Sequence, residues 1–144
     1  MLRAETVCHA VSALAKERVT LDYASRFLRR KVVESDGGLR FLVDLPEAVL
    51  LHEGDAFQLR DGRLVSVVAA VEPLLEVSGD IARFAWHIGN RHTPCQIEGE
   101  CLRIARDPVL GDMLLGLGAD LREVMAPFSP EGGAYGHGRT HAHG

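Results

Sequence analysis

Leu74-Leu75-Glu76-Val77-Ser78-Gly79-Asp80-Ile81-Ala82-Arg83-Phe84-Ala85-Trp86-His87-Ile88-Gly89-Asn90 is the stretch in which the periodicity of this chain changes. Leu74 to Val77 is an apolar run of strand length, whereas Ile81, Phe84, Ala85 and Ile88 recur at the spacing of one helical face. Ser78 offers an N-cap and Gly89-Asn90 stops the helix. Downstream, Cys95-Gln96-Ile97 and Cys101-Leu102-Arg103-Ile104 flank a turn at Glu98-Gly99-Glu100 and predict a hairpin. Asp107 then serves as N-cap with Pro108 at the first helical position. Val109, Leu110, Met113, Leu114 and Leu117 form the apolar stripe, and Gly118 ends it. Leu121 to Met125 is a last strand. Strand, helix, strand, strand, helix, strand is the ferredoxin-like βαββαβ order, with both helices on one face of an antiparallel sheet.

Working outward, the residues before this segment read as β. Arg18 to Asp22 alternates in polarity, and Leu28 to Glu34 leads through Ser35-Asp36-Gly37-Gly38 into Leu39 to Val43, a hairpin. Pro46 and Glu53-Gly54-Asp55 read as breaks, and Phe57 to Leu59 pairs across Asp61-Gly62 with Leu64 to Val68. Strands at this spacing suggest a small sandwich or barrel. Arg26, Arg29, Arg30 and Lys31 form a local basic cluster, read as a solvated strand face or a docking patch for a partner. The fold class is therefore α+β: a small all-β domain at residues 1–72, a ferredoxin-like domain at 73–129, and a glycine-rich, histidine-containing tail at 130–144, expected to be flexible.

Composition narrows the function. In 144 residues, 16 Lys and Arg face 20 Asp and Glu, a formal net charge of -4, so there is no basic excess to neutralise phosphates and nucleic acid is not expected as a ligand. Apolar runs such as Leu64 to Val71 fall far short of the ~20 residues a membrane span needs. The start, Met1-Leu2-Arg3, does not resemble a secretory signal, which points to the cytoplasm. Cys8, Cys95 and Cys101 are an odd number without zinc-knuckle spacing, so they are expected as free thiols, small and buried rather than liganding. No nucleophile elbow, P-loop, dinucleotide fingerprint or HExxH motif occurs, and the chain does not read as an enzyme.

Seven histidines stand out. His87 lies on the first helix and His92 in the following turn, Gly89-Asn90-Arg91-His92-Thr93-Pro94. His137, His141 and His143 crowd the end, and histidine-rich tracts of this kind bind divalent metals. Imidazole suits nickel, copper or zinc. One turn histidine is too few for a closed site, so it would need a two-fold mate or the tail to complete a shell. Neutral imidazole is the ligand form and ordinarily titrates near ~6.5, so such binding weakens as pH falls through that region.

Trp86 to Pro94 with Gln96-Ile97, Asp107-Pro108-Val109-Leu110 through Met113-Leu114, Gly118-Ala119, and Pro127-Phe128-Ser129-Pro130-Glu131-Gly132-Gly133-Ala134-Tyr135 together resemble the UreE family of urease accessory proteins. Leu21-Asp22-Tyr23 with Arg26, Asp44-Leu45-Pro46 and Asp61-Gly62 agree more loosely. The resemblance implies a cytoplasmic homodimeric nickel chaperone that delivers Ni(II) for urease metallocentre assembly. It implies a peptide-binding-like β domain ahead of a ferredoxin-like domain that dimerises and binds metal. Its partners would be the GTPase UreG and the urease apoprotein-accessory complex. The histidine ending GNRH, here His92, would be the nickel ligand at the dimer interface; Zn(II) or Cu(II) would fit the same site. His87 matches a family histidine that is either a secondary ligand or a satisfied helix residue. The sequence departs from relatives that carry a further H-x-H pair, because Arg106 and Pro108 stand at the matching positions and neither can ligate. A polyhistidine storage tail is also absent, with three tail histidines in its place.

Overall fold

The computed structural model describes residues 1–9 and 15–132. The chain forms two compact units, Met1–Ala70 and Val71–Gly144.

The first unit is a single six-stranded sheet. Its strands are β1 (Arg3–Cys8), β2 (Glu17–Leu21), β3 (Phe27–Glu34), β4 (Arg40–Leu50), β5 (Ala56–Leu59) and β6 (Leu64–Ala69), with a 3-10 turn at Ala24–Arg26 before β3. They lie in the order β2-β6-β5-β1-β4-β3. The expected hairpins β3/β4 and β5/β6 are present, with Gly38 and Gly62 both at φ 92° in their turns, where a side chain would be strained. β1 has no strong alternation because only Ala4 is fully buried, yet it sits centrally, parallel to β4 and antiparallel to β5. The core joins Val19 of β2 and Val33 of β3 to Phe41, Val43, Phe57, Val65 and Val67. The sheet therefore curls until its two end strands share one interior. At the closing side, Asp36 donates its N–H to the Arg18 carbonyl at 2.7 Å and accepts the Thr20 N–H and hydroxyl at 3.2 and 2.8 Å. Between β2 and β3 lies an open cavity of about 180 Å³ lined by residues that include Val19, Leu21, Leu28 and Val32.

Two local expectations are corrected in this unit. Pro46 does not break the chain but lies inside β4, where the pairing jumps from Leu28↔Val49 to Arg30↔Asp44. That irregularity takes a proline because no ladder hydrogen bond is required of its missing N–H. The basic cluster also separates. Arg26 is 2% exposed and donates from Nε to the Leu51 carbonyl and from Nη1 to the Leu21 carbonyl, each at 3.2 Å, with its guanidinium 5.6 Å from the Tyr23 ring. Arg30 pairs with Asp44 at 3.0 Å, whereas Arg29 and Lys31 are exposed.

The second unit contains β7 (Val71–Ser78), α1 (Ile81–Asn90), β8 (Gln96–Ile97), β9 (Leu102–Ala105), α2 (Pro108–Gly116) and β10 (Asp120–Pro127). Its sheet order is β10-β7-β9-β8, antiparallel throughout. With this unit the chain is α+β. Phe84 and Ile88 of α1 and Leu110 and Leu114 of α2 join Val77, Leu102 and Ile104 in one core, so both helices cover the same face. Each such side chain contributes about 1.5–3 kcal/mol by burial. Asp107 caps α2 by accepting from Val109 and Leu110 N–H at 2.9 and 3.2 Å. The α1 cap is Asp80, accepting from Arg83 N–H at 3.4 Å, and not Ser78, which is the last residue of β7. Gly79 at φ 118° turns the chain between the two.

Candidate metal centre

α1 ends in a hydrogen-bonded cap that determines how His92 is presented. Arg91 is the C-cap; His92 donates N–H to the Gly89 carbonyl at 2.9 Å and Thr93 to the Ile88 carbonyl at 3.4 Å. This pair of bonds is a Schellman motif, in which the residue after the C-cap takes a left-handed conformation and is usually glycine. Here it is His92, at φ 57°, the one non-glycine residue with positive φ among the described residues. Histidine at this position costs about 1 kcal/mol relative to a residue without Cβ. The imidazole is thereby fixed to a rigid helix end yet left exposed. Pro94, two residues later, prevents helical continuation.

Neighbouring groups are sparse. His87 is half-buried, and its ring meets that of Trp86 edge-on at 5.0 Å between centroids; Trp86 itself is 64% exposed. Among the described residues, no three His, Cys, Asp or Glu side chains come together as a metal cluster. The described residues of one chain therefore offer His92 no closed coordination shell. The three cysteines are free but half-buried, not fully buried as expected; Cys95 and Cys101 precede their strands instead of lying in them, and Cys8 is the last residue of β1. Burial, reinforced by the negative charge of Glu131, pushes the Cys95 thiol up to about 11, so it is not a thiolate at neutral pH. Burial, with Glu76 nearby, also raises the Cys101 thiol.

Arg106 and Pro108, which the resemblance sets at the positions of a further histidine pair in some relatives, have structural roles here. Arg106 donates to the carbonyls of Leu74 and Val124, each at 3.1 Å, tying the end of β9 to β7 and β10; Pro108 opens α2. His9 and His52 lie in the first unit, where buried Asp55 holds the His9 ring at 3.1 Å and accepts the His52 N–H at 2.9 Å.

His137, His141 and His143 lie outside the described residues. The chain that leads to them is anchored, however: Ser129 donates N–H to Gln96 Oε1 at 2.9 Å and Glu131 donates N–H to the Cys95 carbonyl at 2.9 Å. Sequence reading missed this role of Gln96, and nothing but its place in the quoted motif could have signalled it.

The comparisons agree with this two-unit chain. The family model described as UreE urease accessory protein, N-terminal domain, matches residues 2–70, and that described as UreE urease accessory protein, C-terminal domain, matches residues 65–144. A urease accessory protein UreE of Ruegeria pomeroyi is 62% identical over 130 residues, covering 90% of this chain and 87% of the relative. Those of Rhodobacter capsulatus and Cereibacter sphaeroides are 56% and 61% identical, covering 90% and 88% of this chain and 83% and 70% of their own. The relatives are named as accessory proteins, not as enzymes. Matched in both halves by the family's models and by relatives over most of its length, the chain belongs to the UreE family of urease accessory proteins.

Proposed function

We propose that this protein is a nickel metallochaperone that binds Ni(II) with His92 from two subunits and donates it during urease metallocentre assembly. The observation that carries this reading is the exposed His92 imidazole, held in a left-handed helix cap that favours glycine, with no closed ligand set among the described residues of its own chain. A two-fold mate supplies the second imidazole, and His137, His141 and His143 add auxiliary ligands, with His87 a secondary group. Such an open shell exchanges its ion, which suits delivery better than storage. Zn(II) and Cu(II) compete for the same imidazoles.

The second unit is the ferredoxin-like metal-binding and dimerisation domain of this reading. Its βαββαβ order supports that, as does the sheet with the last and third strands flanking the first. Exposed Trp86, Ile97, Val109, Leu115 and Met125 offer apolar surface for a second copy. The ion passes to the UreG GTPase and the urease apoprotein-accessory complex in the cytoplasm, a compartment consistent with three free cysteines. No helix among the described residues is long and apolar enough to cross a membrane. The first unit is peptide-binding-like, and its Arg26 serves its core, which weakens the alternative of a partner-binding scaffold built on Arg26, Arg29 and Arg30. The remaining alternative is a metal buffer that never hands its ion over.

Calorimetric titration with nickel, alongside sedimentation of the same sample, tests the site. One ion per dimer is expected, lost in His92→Ala; undiminished affinity in that variant would reject His92. Truncation after Tyr135 should weaken binding without abolishing it. Faster loading of apo-urease by the nickel-bound protein than by free ion separates a chaperone from a buffer.

A further inference from the structure

Asp55 ties two histidines to one turn of the first unit. The register of β1 on β5 sets Val7 opposite Phe57 and Cys8 opposite Ala56, and continuing the ladder faces His9 with Asp55. The Asp55 side chain is 6% exposed, and its two oxygens are divided between the histidines. Oδ1 meets His9 Nδ1 at 3.1 Å, and Oδ2 accepts the His52 N–H at 2.9 Å. The turn is closed in return by the Asp55 N–H, which donates to the His52 carbonyl at 3.0 Å. Beneath it, the Gly54 N–H donates to the Val67 carbonyl at 3.1 Å and the Val67 N–H to the Asp55 carbonyl at 2.7 Å. Gly54 holds φ 92° in this turn, so the mount is rigid. A carboxylate only accepts, so Nδ1 of His9 carries the proton and Nε2 the lone pair. The His9 side chain is 65% exposed, which leaves that lone pair open to a ligand.

An imidazole that donates its other ring N–H to a carboxylate is the usual form of a metal-ligating histidine: the acceptor fixes tautomer and ring orientation and makes the free nitrogen a stronger base. His52 is exposed at the start of the same turn, and an exposed ring moves among its staggered rotamers at little cost. We propose that His9 and His52 bind a first-row divalent ion in the first unit, with Asp55 as the positioning residue that orients His9 and holds the turn of His52. Two imidazoles fall short of a closed shell, and no three converging His, Cys, Asp or Glu side chains occur among the described residues, so water fills the remaining positions. Imidazole ligands select Ni(II), Cu(II) or Zn(II) over Mg(II) and Ca(II). This site uses no residue of the second unit and needs no partner subunit, so it stands apart from His92.

The test is Ni(II) titration of the full chain with His92, His137, His141 and His143 changed to alanine, followed by calorimetry and by the imidazole proton resonances, which the paramagnetic ion broadens at close range. One ion per chain is expected, with the signals of His9 and His52 broadened together and ahead of that of His87. His9→Ala and His52→Ala should each abolish this uptake. Asp55→Asn, which keeps an acceptor for the His52 N–H but withdraws the carboxylate from His9, should weaken it about 10- to 100-fold. If Asp55→Asn folds poorly, the two exposed histidine variants decide the matter alone. A merely structural His9–Asp55 pair would move thermal unfolding of the apo-protein and leave nickel uptake as it was. Undiminished uptake in either histidine variant, broadening confined to His87, or no uptake in the four-alanine chain overturns the proposal. Each of those results leaves the reading of His92 standing, because His92→Ala in the parent chain tests that separately.

Discussion

The backbone N–H of His92 donates to the carbonyl of Gly89 at 2.9 Å while His92 holds φ at 57°, a conformation that glycine adopts without Cβ crowding. His92→Gly should therefore leave the stability of the second unit unchanged or raise it by up to about 1 kcal/mol, while eliminating the imidazole. Thermal unfolding and nickel titration on the same sample should move apart, the first level or upward, the second to loss of the site. A marked drop in unfolding temperature would mean that the side chain itself holds the turn.

Arg26 supports the first unit from within. Arg26→Met removes the donors to Leu51 and Leu21 and should lower stability by about 2–3 kcal/mol in urea unfolding. Arg29→Glu, at an exposed position three residues beyond it, should stay within about 0.5 kcal/mol. Similar effects for the two would contradict the buried placement of Arg26.

Glu76 accepts from Arg122 at 2.8 Å and from Arg103 at 3.3 Å across three strands. Burial raises its pKa, but the hydrogen bonds and charges of Arg122 and Arg103 outweigh this and hold the carboxyl below its ordinary 4.5. A depressed folded pKa stabilises above the unfolded value and loses that contribution as pH falls through the folded one. Glu76→Gln should cost about 1–2 kcal/mol at neutral pH, and the gap from the parent should narrow on acidification below pH 4.5. A gap that is constant with pH would remove the ion pairs as its cause.

Cys95, raised by burial and then by Glu131 to about 11 from 9.0, should react slowly with iodoacetamide near neutral pH, as followed by mass spectrometry. The folded state prefers the protonated thiol, so stability should decline as pH rises from about 9 toward about 11. Cys95→Ala should remove that part of the alkaline decline. Rapid alkylation of Cys95 in the folded protein would show that the thiol is not shielded.

What could be read from the sequence follows the range of the interactions. Asp107, Pro108 and Gly118 bound α2 through contacts within a few residues, and Gly38 and Gly62 mark turns for the same reason, so these were legible. Ser78 and Asp80 are both good caps two residues apart, and the choice depends on the turn at Gly79. β1 escaped notice because a central strand with one fully buried residue carries little pattern. Arg26 looked like part of a charged face because the carbonyl of Leu51 reaches it only through the tertiary fold. His92 stands out in the sequence by its chemistry and by the resemblance, whereas its left-handed backbone depends on the helix cap and carries no sequence signal. The Gln96–Ser129 bond depends on sheet order, which places residues 33 apart in sequence side by side.

Asp36, which binds both Arg18 and Thr20, has a consequence for the behaviour of the protein in concentrated solution. β2 ends its sheet, and an uncovered terminal strand is a template onto which another molecule can add and begin aggregation. By occupying the Arg18 carbonyl and the Thr20 amide, a single turn aspartate blunts that template, so the first unit guards itself against polymerising along β2.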